Sequence, residues 1–267
     1  NVRPADRVKF AKAQLKLHGD NDEPVKQFFG DAKLYDLNER AARTEWVLPG
    51  QERRTRGVGH TDHVNTFLII GPGFKFIKIM PSSEELKNRP RHGRWWDPAN
   101  RPPKNPNEKR GAPRKPFAKL ARSKSQRKGV DTEVISDDVF QKLLNAKGFT
   151  RKYPLLIDNW TGQRSKEFIY WRNLNKMNVQ QNCEYSPDLN VVELGHSWIE
   201  QDMWRDGPVD NNMEALKVAI MKSFNRLDPD MLLSSYKQRL RECIRMKGQT
   251  ITSDYKLKNP RNFDRLS

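Results

Sequence analysis

With 267 residues, the chain has room for one large domain or two small ones, and for a core that folds unaided. Its 50 Lys and Arg against 33 Asp and Glu leave a formal charge of +17, which favours a polyanionic partner. A 35% hydrophobic content is too high for a disordered chain, no run nears the roughly 20 apolar residues that span a bilayer, and two cysteines make no disulfide framework, so an integral membrane protein and a cystine-stapled secreted domain are excluded.

The sequence opens at Asn1 with neither an initiator Met nor a secretory leader, and is expected to be a piece or processed form of a longer chain from a soluble, reducing compartment. Residues 5–17 are predicted to be a helix with Val8, Ala11 and Leu15 on one face. Residues 25–37 contain a strand-like run through Phe28, Phe29, Gly30, Asp31 and Leu34. Two apolar β-type runs, 66–70 and 74–80, flank Gly71-Pro72-Gly73 and predict a hairpin. That turn is no phosphate loop, because neither Lys-Ser/Thr nor a helix start follows it. Ser136 is predicted to cap a helix through Val139, Phe140, Leu143 and Leu144 that ends near Gly148. Residues 153–157 read as a short strand delivering Asp158, residues 166–176 as a helix, and residues 179–185 as a strand. From Val192 onward the spacing is helical. Met213, Leu216, Ile220 and Phe224 follow a cap at Asp210/Asn211, and Leu233, Tyr236, Leu240 and Ile244 precede Gly248. The order predicts an α/β fold, a mixed sheet with helices on both faces.

Positive charge is concentrated in residues 87–128, where fifteen Lys and Arg face only Asp97 and Glu108, a net +13. Seven prolines in the same stretch forbid a long helix or a central strand. The segment therefore reads as a long basic inserted arm between two parts of one domain, 1–86 and 129–248, with 249–267 as a tail. Lys104, Lys109, Arg110, Arg114, Lys115, Lys119, Arg122, Lys124, Arg127 and Lys128 are its candidate nucleic-acid-binding residues. Composition does not separate DNA from RNA, and 109–128 also suits a nuclear localisation signal. Trp95 and Trp96 would either stack on bases or anchor the arm.

Three acids stand out by placement. Asp31 interrupts an apolar strand, where an unpaired charge is costly. Asp158 ends Leu155-Leu156-Ile157, where α/β sheets place their ligands. Glu193 opens an amphipathic helix, near its positive end. Brought together, they would hold hard divalent cations such as Mg²⁺ or Mn²⁺, and two such ions suit phosphodiester displacement. Taken singly, each is equally a helix cap or a partner for surplus Lys or Arg. His60 and His63 have metal-like spacing, but no third ligand completes a zinc site. Cys183 and Cys243 read as packing residues.

Asp158-Asn159, followed by Tyr185-Ser186-Pro187-Asp188-Leu189-Asn190-Val191-Val192-Glu193, resembles the catalytic core of Tc1/mariner (IS630-like) transposases, with 34 residues between the second Asp and the Glu. Phe29-Gly30-Asp31-Ala32-Lys33-Leu34 is similar to the strand bearing the family's first Asp. Trp46-Val47-Leu48-Pro49-Gly50 and the hairpin around Gly71-Pro72-Gly73 fall where the family has similar elements. The resemblance implies an RNase H-like five-stranded mixed sheet, with Asp31 on the first strand, Asp158 after the fourth and Glu193 on the following helix as catalytic and metal-binding residues. It also implies DDE chemistry with two Mg²⁺ or Mn²⁺ ions, namely cleavage of transposon ends and strand transfer into target DNA. A nuclear location follows for a transposase, and a homodimer is compatible with it.

The sequence departs from the family pattern at Ala32, where Glu is frequent, and at Gln163, where His is common. Leu194-Gly195-His196 replaces the usual Asn-Leu-Trp after the Glu, and the helix-turn-helix modules that normally precede the domain are absent from the sequence. The missing modules and the enlarged arm favour an alternative reading, a domesticated transposase fold serving as a non-catalytic nucleic-acid-binding or structural subunit, for example of a ribonucleoprotein, in a mitochondrion or other organelle, whereas the intact acidic triad favours the enzyme.

Overall fold

A computed structural model describes residues 3–19, 23–37, 63–89, 132–158, 165–205 and 212–251. Five strands form one sheet: β1 (Phe28–Asp36), β2 (His63–Gly71), β3 (Phe74–Ile79), β4 (Leu155–Ile157) and β5 (Val179–Gln181). Their order is β3-β2-β1-β4-β5. Antiparallel pairing joins β3 to β2 and β2 to β1, and parallel pairing joins β1 to β4 and β4 to β5. The mixed five-stranded sheet is the expected RNase H-like arrangement. Its predicted hairpin is present, but Gly71 still pairs with Phe74, so Pro72 and Gly73 alone make the turn. Gly73 has φ +59°, a left-handed backbone that glycine adopts without steric cost.

Helices cover both faces. On one side lie α1 (Pro4–His18), α5 (Val191–Met203), α6 (Met213–Arg226), α7 (Pro229–Leu233) and α8 (Tyr236–Arg245). They bury Phe29, Tyr35, Leu68, Ile70 and Leu156 of the sheet. On the other side, Phe28, Phe67, Ile69, Leu155 and Ile157 meet side chains of α3, the continuous helical run over 132–144, and of α4 (Lys166–Leu174). Alternation along the strands explains the split, because successive side chains leave a sheet on opposite faces. A short helix, α2 (Ser83–Asn88), follows β3, with the Ser82 hydroxyl accepting from the Glu85 N–H and the Glu85 carboxylate accepting from the Ser82 N–H.

Several boundaries differ from expectation. The buried stripe of α1 is Arg7, Ala11, Gln14 and His18; of the expected face Ala11 is buried, while Val8 and Leu15 are half-buried, Leu15 packing against the core. Most of this polar stripe is satisfied across the fold, with the Arg7 Nε left without a hydrogen-bond partner among the described residues. Arg7 donates to Ser186 Oγ at 2.7 Å and pairs with Asp188 at 2.5 Å. Gln14 accepts from the Tyr236 hydroxyl, and His18 meets Gln27 at 2.6 Å. Ser136 is not a cap. The helix already starts at Thr132, and Ser136 lies buried in a π-helical middle segment, Ile135–Phe140. Arg89 forms a bidentate contact with Asp138 of that segment, drawing together the chain on the two sides of residues 90–131. The predicted strand over 179–185 stops at Gln181, and the last helical pattern is broken at Ser234 and Ser235 into α7 and α8. The α6 cap is Asn212, whose side chain accepts from the Ala215 N–H; Asp210 and Asn211 lie outside the described residues.

Most of the basic arm, including every candidate phosphate-binding residue from Lys104 to Lys128, lies outside the described residues, as do Trp46–Gly50, His60, Trp95, Trp96 and Gln163. His63, at the start of β2, is exposed. Cys243 is buried, Cys183 is partly so, and both are free thiols.

Candidate active site

The register of β1 and β4 determines where two of the acids stand. Phe29 pairs with Leu156 and Gly30 with Ile157, so the next residue of each strand, Asp31 and Asp158, follows directly on the last rung of the ladder. Phe29 and Leu156 both belong to the core under α5, and a two-residue step from each returns to that face. Glu193 comes from α5 itself, in its first turn. The Asn190 side chain caps that helix by accepting from the Val192 N–H.

Glu193 lies within hydrogen-bond reach of the Asp31 carboxyl. Burial, the negative charge of Glu193 and that of Asp158 together push the Asp31 carboxyl up to about 8 from an ordinary 3.8. The Ala32 N–H donates to Asp31 Oδ1 at 2.7 Å and opposes the rise only in part. Asp31 and Glu193 are half-buried, and Asp158 is exposed at the strand end. Among the described residues, no three His, Cys, Asp or Glu side chains stand as a finished metal site. The arrangement is thus a close Asp31–Glu193 pair with Asp158 acting on Asp31 through its charge.

Residues that the sequence reading passed over continue the same contact. Asp31, Lys33 and Tyr35 occupy one face of β1, and Glu193, His196 and Glu200 occupy one face of α5. Lys33 pairs with Glu200 at 2.6 Å. Tyr35 Oη and His196 Nδ1 are 2.9 Å apart, and His196 Nε2 is 3.4 Å from the Asp31 main-chain oxygen. Burial above all, with the charge of Lys33, pushes the His196 imidazole down to about 3, so the ring is neutral. The two-residue step from Asp31 and the 3-and-4 step from Glu193 were the signal that could have found them.

Asp188, within the Ser186-Pro187-Asp188 motif, has a structural partner set. Besides Arg7, its carboxylate accepts from the Ile251 N–H at 2.9 Å, and its carbonyl accepts from Arg239 at 3.0 Å. It ties α1, α8 and the end of the described chain to the turn that launches α5.

No protein-family model matches the chain, and no curated protein does. Solved structures do. The Mos1 transposase paired-end complex with left transposon end is 12% identical, with a TM-score of 0.62 over 93% of this chain and 63% of that one. The Mos1 mariner paired-end complex with Mn has a TM-score of 0.61 at the same identity and coverage. The catalytic domain of Mos1 mariner transposase is also 12% identical, with a TM-score of 0.53 over 93% of this chain and 95% of that one. The chain spans a little under two thirds of the Mos1 chains in the complexes, 63%, and nearly all of the catalytic domain, 95%. It carries the RNase H-like fold of the mariner transposase catalytic domain.

Proposed function

We propose that the chain is the catalytic domain of a mariner-like DDE transposase, which cleaves transposon-end DNA and joins it to a target. The observation that carries this reading is the meeting of Asp31 and Glu193, from strand and helix, with Asp158 directly after the last rung of the β1–β4 ladder, on the fold of the Mos1 catalytic domain. Fold likeness alone would not suffice, because one fold hosts many activities.

The chemistry of the three acids suits a divalent cation, although they do not stand together as a finished site among the described residues. All three candidates offer carboxylate oxygens, which hard cations prefer. The raised Asp31 carboxyl marks a place where acids crowd one another, and no basic group is among the causes of its shift. Asp31, Asp158 and Glu193 would hold Mg²⁺ or Mn²⁺, the second being the metal named with one Mos1 complex. When bound, the ions supply charge stabilisation for the attacking and leaving oxygens of a phosphodiester. The protein's own part is placement. Asp31 is fixed by its ladder partner Leu68 on β2, Glu193 by a capped helix, and Asp158 by the end of β4. The basic arm would hold the phosphate backbone of DNA. A nuclear location accords with this role.

The test is Asp158→Ala in the full-length protein. Cleavage and joining of transposon-end duplex with Mg²⁺ or Mn²⁺ should fall by at least about a thousandfold, while nonspecific duplex binding stays near its starting level, because metal ligands act on the transition state more than on ground-state binding. If the unmutated protein neither cuts nor joins under these conditions, the non-catalytic nucleic-acid-binding role is the better account.

A further inference from the structure

We infer that His196 is a positioning residue, which sets the distance between Asp31 and Glu193 by bridging β1 to α5 directly behind them; this rests on the reading of those acids as metal ligands. The imidazole is fully buried, and each ring nitrogen has one partner from β1. The Asp31 main-chain oxygen can only accept, so Nε2 must carry the proton and donate to it. In a neutral ring Nδ1 is then an acceptor, and the Tyr35 hydroxyl donates to it. One tautomer therefore satisfies both contacts, and the other would set a lone pair against a carbonyl.

The surroundings hold the two bridged elements close together. One residue earlier, Gly195 lets α5 lie close on the sheet, because a Cβ there would stand 2.6 Å from Ile70 Cδ1 and 3.0 Å from Leu68 Cδ2. One helical turn later, Lys33 and Glu200 join the same two elements. Between them His196 grips the backbone of the very residue whose carboxyl faces Glu193, three positions before it on the helix. Movement of the ring shifts Asp31 relative to Glu193, and an oxygen site for a small cation tolerates little of that.

Two neutral amide variants separate this role from simple packing. In His196→Gln the amide nitrogen reaches the place of Nε2 and keeps the contact to Asp31. In His196→Asn it reaches only the place of Nδ1. Mn²⁺ affinity, measured by calorimetry or electron paramagnetic resonance on the folded chain, should stay within about threefold for Gln and weaken about tenfold or more for Asn. Equal affinities in the two variants overturn the inference while leaving the metal site standing. No Mn²⁺ binding by the unmutated chain overturns the metal reading, and this inference with it. A metal-free measurement stands beside the variants. The imidazole ¹⁵N signals of the unmutated chain should show the Nε2–H tautomer. An Nδ1–H tautomer overturns the bridge whether or not any variant folds.

Discussion

Asp31 carries the sharpest consequence at the scale of single residues. Its folded carboxyl sits near 8, above the ordinary 3.8, because burial and two neighbouring acids penalise its charge. Between those values the folded chain holds a proton that the unfolded chain has shed, so stability declines as pH rises through the window. In metal-free buffer, Asp31→Asn should stabilise the chain at pH 8 by about 1 kcal/mol or more, a rise of roughly 2–4 °C in Tm, and change little at pH 4. Melting curves in a chelator decide it; a destabilised Asn variant at pH 8 contradicts the crowding. Arg7 behaves in the opposite sense. Its ion pair with Asp188 is almost wholly removed from solvent, the two side chains being 5% and 8% exposed. Arg7→Met would leave Asp188 buried with its charge and, among the described residues, one main-chain donor to its carboxylate, costing about 3 kcal/mol. Urea unfolding would register this as a lower midpoint, and an unchanged midpoint would show that the pair contributes little net stability.

Between elements, the decisive contact is β1 on α5. Alternate residues of the strand meet successive turns of the helix, so a polar seam runs from the Asp31–Glu193 pair to Lys33–Glu200 inside an otherwise apolar layer. Gly195 sets the depth of that contact. In Gly195→Ala, better helix propensity is worth up to about 1 kcal/mol. The added methyl, 2.6 Å from Ile70 Cδ1, forces Ile70 and Leu68 to rotate or α5 to lift, which costs about 1–3 kcal/mol. Overpacking should win, and chemical denaturation should show a net loss near 1 kcal/mol. A more stable Ala variant would mean that the two methyl tips yield freely.

For the molecule as a whole, the described residues that build both apolar layers lie outside 87–128, and the net +13 of that segment is most of the chain's +17. Replacing the arm by a short Gly-Ser linker should therefore leave the Tm within a few degrees, roughly 1 kcal/mol of stability. Duplex affinity should fall by at least about tenfold, and its dependence on salt should flatten, because each lost phosphate contact takes about 0.9 from the slope. Affinity measured from low to physiological salt tests this. An unchanged slope would assign phosphate binding to other cations of the surface. No helix among the described residues is long and apolar enough to cross a membrane.

From the sequence alone came the strand bearing Asp31, the hairpin at Pro72-Gly73, the strand ending at Asp158 and the helix led by Glu193. These are local signals: apolar β-type runs, a Gly-Pro-Gly turn and an amphipathic helical pattern. They sufficed for a mixed sheet and for the elements on which the three acids stand, while the five-stranded RNase H-like arrangement was implied by the resemblance to Tc1/mariner transposases. Tertiary structure decided whatever depended on partners far along the chain. The buried face of α1 is polar because Ser186, Asp188 and Tyr236 wait opposite it, more than 170 residues away. Ser136 reads as a cap until the preceding turn, 132–134, is seen to be helical and buried. His196 looks like a departure from a motif until Tyr35 and the Asp31 carbonyl are found against its two nitrogens. Burial of a polar group is favourable only when its hydrogen bonds are met, and the groups that meet them are set by packing and not by sequence neighbours.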